Sequence, residues 1–338
     1  MIFAIESSCD DSSVALMDID TLELKYHRKI SQEAEHSIYG GVVPELASRL
    51  HTEALPALLE GVKPYFNQIK AVAVTNTPGL SVSLLPGISM AKAVALALNV
   101  PLIGVNHLIG HIYSLFLQSQ MSFGFGVLLV SGGHTMVLDI SDSGVISVLA
   151  ATSDDSFGES FDKAAKMLGF GYPGGVFIQN SALKCEDKDK FKFTVPLLHD
   201  KRLEYSFSGL KNQVRLACES TKAKNGTISD QDASCISYAF EQAACAHIID
   251  KLSRVFKQRG WRRFGVVGGA SANLNLRSQI KTLCKSHDCE LLLTPLEFCS
   301  DNAAMIARAG IDSFKNGKFS DIFSLDVKPR SSIDGLYI

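Results

Sequence analysis

One pattern occurs twice in this chain, and few folds can accommodate it. A short apolar run, Ile2-Phe3-Ala4-Ile5, enters the polar turn Glu6-Ser7-Ser8-Cys9-Asp10-Asp11-Ser12. Two strand-like stretches follow, Ser13 to Ile19 and Leu24 to Ile30. About 125 residues later the order returns. Val127 to Val130 enters the glycine-rich turn Ser131-Gly132-Gly133-His134-Thr135, followed by Met136 to Ile140 and Ile146 to Ala150. Identity between the copies is low, so what repeats is hydrophobicity and turn chemistry. Each turn offers backbone N–H groups and hydroxyls to an anion, although a plain polar hairpin would read the same way. Two such units, each running on into helices, predict an α/β fold of two similar halves facing each other across a cleft.

The remaining segments fit that plan. Gly40-Gly41 breaks the chain before a helix expected from Pro44 to Pro56, with Leu46, Leu50 and Leu55 on its apolar side. Ala71 to Val74 reads as a strand ending at Asn76-Thr77-Pro78-Gly79, the punctuation of a strand-to-helix turn. Leu84 to Leu98 is a helix rich in small residues, and Leu102 to Val105 another strand. A third glycine cluster, Gly268-Gly269-Ala270-Ser271-Ala272-Asn273, follows a strand from Arg263 to Val267; the spacing is not that of a dinucleotide fold. Near the end, Asp301 is placed as N-cap of a helix from Ala303 to Phe314, and the tail beyond Leu325 reads as extended and exposed.

At 338 residues, 46% apolar and 20% charged, the chain suits about two folded domains. The boundary is expected near residue 120, giving halves of 1–120 and 121–300, with the helix near 301–326 packing back on the first. No linker of low complexity separates them. Lys and Arg number 33 against 35 Asp and Glu, a balance that does not advertise a nucleic-acid surface. The eight cysteines form no C-x-x-C pair, which argues against a zinc ribbon or thioredoxin-type site. Cys9 sits beside two aspartates that would raise its pKa, making it a poor nucleophile. With no run of about 20 apolar residues and no signal-peptide pattern, a cytoplasmic protein without membrane contact is expected.

His107 and His111 lie four apart after Asn106, a reasonable N-cap, so both fall on one helix face. They could share a metal or be ordinary polar residues at a helix start. The metalloprotease motif H-E-x-x-H is excluded, because Leu108 stands where that chemistry needs a glutamate.

The three anion turns and doubled α/β pattern resemble the actin/Hsp70/sugar-kinase (ASKHA) superfamily. Six motifs narrow this: Glu6 to Asp11, Tyr39 to Arg49, His107-x-x-x-His111, Val130 to Thr135, Ser206-Phe207-Ser208-Gly209-Leu210-Lys211, and Gly268 to Asn273. In this order they resemble the TsaD family of bacterial tRNA N6-adenosine threonylcarbamoyltransferases. The resemblance runs from the first strand to the Asp301 helix. It implies transfer of the threonylcarbamoyl group from L-threonylcarbamoyl-AMP to N6 of the adenosine adjacent to the anticodon, in tRNAs reading codons that start with A, with release of AMP.

The resemblance further implies that His107, His111 and Asp301 bind one divalent metal, Fe²⁺ or Zn²⁺. Leu129, Val130, Ser131, Gly132, Gly133, Asp162, Gly175, Gln179, Gly269 and Asn273 would hold the nucleotide-bearing donor. Asp10 and Asp11 would face its phosphate, with Mg²⁺ accompanying bound nucleotide, and His134 is a candidate general base. Implied partners are a smaller homologous TsaB-like subunit and a TsaE-like ATPase. Three departures bear on donor affinity: Thr77 where the family usually has glycine, Asp11 where glutamate is common, and Gln179 where many members have aspartate. An ATP-dependent kinase or ATPase of the same superfamily, or a nucleotide-binding scaffold, would use the turns without needing the triad.

Overall fold

The computed structural model describes every residue, Met1–Ile338. Strands β1 (Ile2–Glu6), β2 (Asp11–Met17), β3 (Leu24–Ser31), β4 (Ala71–Thr77) and β5 (Leu102–Asn106) form one sheet, ordered β3-β2-β1-β4-β5. The first three make an antiparallel meander; β4 is parallel to β1, and β5 to β4. A second sheet contains β6 (Phe125–Val130), β7 (Thr135–Ile140), β8 (Ile146–Thr152), β9 (Glu204–Tyr205), β10 (Arg263–Val267) and β11 (Glu290–Leu293). Its order is β11-β10-β6-β7-β8-β9. Again the first three strands are an antiparallel meander and β10 and β11 extend it in parallel, with short β9 added beside β8. The pattern duplicated in the sequence is a duplicated topology, the expected α/β fold. Two compact units contain these sheets: Met1–Ser122 with Thr294–Ile333 and Ile338, and Phe123–Leu293 with Asp334–Tyr337.

In the first unit, β1 and β2 are buried on both faces, in keeping with the unbroken apolar runs Ile2-Phe3-Ala4-Ile5 and Val14-Ala15-Leu16-Met17 within them. The pleat divides them cleanly. Ile2, Ala4, Ala15 and Met17 meet the helix Ala303–Lys315 on one side. Phe3, Ile5, Val14 and Leu16 meet the helices Pro44–Glu60 and Ser81–Leu98 on the other.

Several boundaries differ from the sequence reading. Strand β2 begins at Asp11, so the first turn is tighter and Asp11 belongs to the sheet. The helix from Pro44 does not stop at Pro56 but continues to Glu60, and its buried side is Ala47, His51, Leu55 and Leu58. Packing of Leu55 and Leu58 into the core carries the helix past the bond that proline removes. Helix Ser81–Leu98 starts a turn early and ends on Asn99 in the left-handed conformation. Taken alone it is long and apolar enough to cross a bilayer, but it packs on β4 and on helix Pro44–Glu60. The tail is largely exposed as expected, yet Ile333 is buried, Lys328 N–H bonds the Asn76 carbonyl, and the last residues pair with the 145–146 strand edge, Leu336 accepting from Ile146 N–H and Tyr337 bridging Val145.

Small residues let Ala303–Lys315 approach the sheet closely. A Cβ on Gly310 would lie 2.7 Å from the Ala73 Cβ. Overpacking at Gly310→Ala should cost up to about 3 kcal/mol against a helix-propensity gain of about 1 kcal/mol, leaving the protein destabilised by up to about 2 kcal/mol. Chemical denaturation checks this; a neutral or stabilising result would show that the helix can move away without cost.

Candidate metal centre

Strand β5 delivers Asn106 to the start of the helix His107–Tyr113. The Asn106 side chain accepts from the N–H groups of Leu108 at 2.9 Å and Ile109 at 3.3 Å, the N-cap expected from sequence. His107 and His111 follow one turn apart, their ring centroids separated by 4.6 Å. Asp301 is not a cap. Asn302 takes that role, its side-chain oxygen accepting from Met305 N–H at 3.0 Å while its amide donates to the Phe298 and Ser300 carbonyls. This leaves the Asp301 carboxylate outside the helix, with Oδ1 at 3.2 Å from His111 Nε2 and 3.4 Å from His107 Nε2.

A clamp holds the two helices in this relation. Fully buried Arg308 donates to the carbonyls of Phe116 and Ser119 and to Asp312, and lies 5.2 Å from the Tyr113 ring centroid. Tyr113 in turn donates to Asp312 at 2.9 Å.

One potential ligand atom from each of His107, His111 and Asp301 lies within 4.8 Å of the others. His111 is fully buried; its Nδ1 has no hydrogen-bond partner, and its Nε2 meets only the Asp301 carboxylate, at 3.2 Å and poorly aligned for a hydrogen bond. A buried unpaired polar group costs about 1–3 kcal/mol, and a cation taking the Nε2 lone pair would relieve part of it. Two imidazoles and a carboxylate suit a borderline divalent ion and leave coordination positions open. The residues fit a metal. Asp301 keeps 21% of its side-chain surface exposed against 9% and 0% for the histidines, so access is from its side.

The residue missed by sequence reasoning is Glu6. It closes an otherwise apolar strand and is fully buried, accepting from Ser8 N–H at 2.6 Å and from the Thr75 hydroxyl. Its Oε2 lies 3.2 Å from His107 Nδ1, as does the Ser8 hydroxyl. A buried acid ending a strand was the available signal. Burial alone would lower the His107 pKa, but the Asp301 and Glu6 carboxylates overcome it and hold it well above the ordinary value. Burial, the largest influence on His111, keeps that ring below it.

The neighbouring turn is rigid. His51 Nε2 donates to the Cys9 carbonyl at 2.9 Å while Nδ1 accepts from Ser12 at 2.7 Å, so the Tyr39 to Arg49 motif leads into a helix that pins the turn. Gln32 N–H bonds the Asp10 carbonyl at 3.1 Å. Asp11 Oδ2 pairs with Lys29 at 2.9 Å, and Lys29 reaches Ser300 next to Asp301. The other Asp11 oxygen has no partner, and burial pushes this carboxyl up to about 7 despite Lys29. Burial and Asp10 raise the Cys9 thiol well above its usual range, which agrees with its reading as a poor nucleophile.

In the second unit hydrogen bonds and close contacts tie several of the predicted nucleotide residues to one another's segments. Ser131 closes its turn by accepting from His134 N–H at 3.0 Å and donating its own N–H to the His134 carbonyl. Ser156, cap of the helix Phe157–Met167, ties that helix to the Ser131 and Gly132 carbonyls. Asp162 accepts from Gly174 N–H at 2.7 Å, Gln179 from Leu274 N–H at 2.7 Å, and Asn273 caps the helix Leu274–Ser286 while donating to Glu241. Gly268, at φ +93°, is required where the chain turns past the Val130 carbonyl into Gly269. A Cβ at Gly132, Gly133 or Gly175 would meet nothing within 4 Å. Packing within the chain does not demand glycine there, and exposed backbone is what these positions offer. The Ser206 to Lys211 motif is a lock: Asp154 accepts from Ser206 and Phe207, and Asp155 binds both Lys163 and Lys211.

Because the Asp301 and Glu6 carboxylates favour a proton on His107 and a metal needs its free lone pair, uptake should compete with that proton. Affinity should rise with pH until the His107 pKa is passed, and binding at neutral pH should release protons. Calorimetry in buffers of different ionisation enthalpy measures this; uptake without proton release would contradict the assignment.

The profile of the family TsaD, tRNA N6-adenosine threonylcarbamoyltransferase, matches residues 23–308. The tRNA N6-adenosine threonylcarbamoyltransferase of Campylobacter curvus is 67% identical over 336 residues, covering 98% of this chain and 99% of the relative. That of Campylobacter hominis is 58% identical over 338 residues, the whole of both chains. Among solved structures, full-length HypF in its phosphate- and nucleotide-bound form aligns with TM-score 0.62 at 14% identity, over 94% of this chain and 47% of that one. The Clostridium difficile activator of 2-hydroxyisocaproyl-CoA dehydratase, with bound ADPNP, aligns with TM-score 0.52 at 13% identity, over 94% and 95%. These last two share the fold; the sequence relationships are of another order, and by them this chain belongs to the tRNA N6-adenosine threonylcarbamoyltransferase family, TsaD.

Proposed function

We propose that His107, His111 and Asp301 hold a single divalent ion, iron or zinc, at which this acyltransferase orients the threonylcarbamoyl group for transfer to tRNA. The observation that carries the reading is the convergence of one ligand atom from each of the three side chains in a mostly buried space, with His111 Nδ1 unpartnered and Nε2 turned toward Asp301. When bound, the ion supplies a Lewis acid toward the carbamoyl oxygens.

The chain's own groups do the rest. The backbone from Leu129 to Gly133, with Asp162, Gly175, Gln179, Gly269 and Asn273, holds the nucleotide of L-threonylcarbamoyl-AMP. Bare glycine backbone and helix N-termini suit phosphate and ribose oxygens. Gln179 and Asn273 act largely through the helix start they secure, since their amides already bond Leu274, Leu276 and Glu241. Asp10 and Asp11 face the phosphate, with Mg²⁺ where nucleotide charge requires it. The N6 amine of the tRNA adenosine adjacent to the anticodon attacks the carbamoyl carbon, the bond to the AMP phosphate breaks, and AMP leaves. An exocyclic amine is a weak nucleophile, so holding it against the carbonyl supplies much of the rate. His134, fixed by its turn, is the candidate base for the amine proton. A TsaB-like homologue and a TsaE-like ATPase are the proposed partners, in the cytoplasm. Phosphotransfer in this fold would leave the buried triad without a task.

Incubation with tRNA and L-threonylcarbamoyl-AMP, with and without those partners, should yield modified adenosine. His111→Ala should lose bound metal and slow transfer by a factor on the order of 10²–10³. Transfer by a metal-free preparation would sink the metal mechanism. Phosphate release from ATP without modified adenosine would favour the kinase reading.

A further inference from the structure

We propose that Glu6 is a positioning residue that fixes His107 as an Nε2 ligand and balances the charge of the metal centre, an inference that rests on the metal reading above. Glu6 is fully buried, and each of its oxygens is held: Oε1 by Ser8 N–H at 2.6 Å, Oε2 by the Thr75 hydroxyl and by His107 Nδ1 at 3.2 Å. A carboxylate so restrained can take only a proton donor from the imidazole. Nδ1 therefore carries the hydrogen, and the lone pair falls on Nε2, the atom 3.4 Å from Asp301. His111 has no equivalent, because its Nδ1 is buried without any partner. The two histidines are thus unequal ligands: the ring of His107 is oriented from its far side by an anion, while the far side of His111 meets packing alone.

Charge gives a second argument from the same atoms. Glu6 and Asp301 together carry two negative charges beside two imidazoles that are neutral when ligating. One divalent cation brings this cluster to zero, which a buried site requires. Without Glu6 a loaded centre would hold an uncompensated positive charge. Strand β1 therefore contributes to the site through its last residue, and β4 through Thr75, although neither supplies a ligand.

The test uses the full chain, stripped of metal and titrated with Co²⁺ or Zn²⁺ against a chromophoric chelator. Glu6→Gln keeps the shape and removes the charge. It should weaken metal binding about 10–100-fold, with saturating stoichiometry unchanged and the visible Co²⁺ bands shifted. Thr75→Val, which removes the hydroxyl that donates to Glu6 without touching a ligand, should loosen the carboxylate and weaken binding less and in the same direction; it decides the matter should Glu6→Gln fail to fold. Unchanged affinity and an unchanged Co²⁺ spectrum in the folded variants overturn the role of Glu6 while leaving the triad intact. A wild-type chain that takes up no metal, or whose uptake survives His111→Ala, overturns the metal reading and this inference with it.

Discussion

Two carboxylates and two imidazoles share a small and mostly buried space at the end of the first sheet. Glu6 and His107 are removed from water, and His111 is buried without a hydrogen bond. Such a cluster is costly unless its charges and lone pairs find partners. In the metal-free state a proton on His107, drawn by Asp301 and Glu6, meets part of that cost. A divalent ion would meet more, because it would also engage His111. Much of the first unit serves to make this cluster possible: the Asn106 cap starts one helix, the Asn302 cap starts another, and Arg308 clamps them together.

The division of labour between the units follows from their shared topology. Each sheet opens with an antiparallel meander whose first turn is polar, and each is extended by two parallel strands. In the second unit that turn keeps bare glycine backbone, tied to a helix N-terminus through Ser156. In the first, the equivalent turn carries Asp10 and Asp11 and is stiffened by His51, Gln32 and Lys29. One architecture has thus been filled with bare glycine backbone in one copy and with carboxylates in the other.

The doubled pattern was legible because buried strands and their polar turns are local signals. So were the Asn106 cap, the distance of the chain from a metalloprotease, and the upward push on the Cys9 thiol from its neighbouring aspartates. What escaped sequence reasoning depends on tertiary packing. Asp301 and Asn302 are both good caps, and nothing local says that Asn302 wins and releases Asp301 toward the histidines. Pro56 normally ends a helix, and only Leu55 and Leu58 in the core keep this one going. Glu6 reads as the first residue of a polar turn until β5 brings His107 alongside it.

The central claim is that one divalent ion is held by two imidazoles and one carboxylate. X-ray absorption at the metal edge of the loaded full chain measures that ligand set directly. The account predicts one metal per chain in a shell of nitrogen and oxygen donors without sulfur, and loss of the signal in His111→Ala. A sulfur-containing shell, or a signal that persists in that variant, would contradict it.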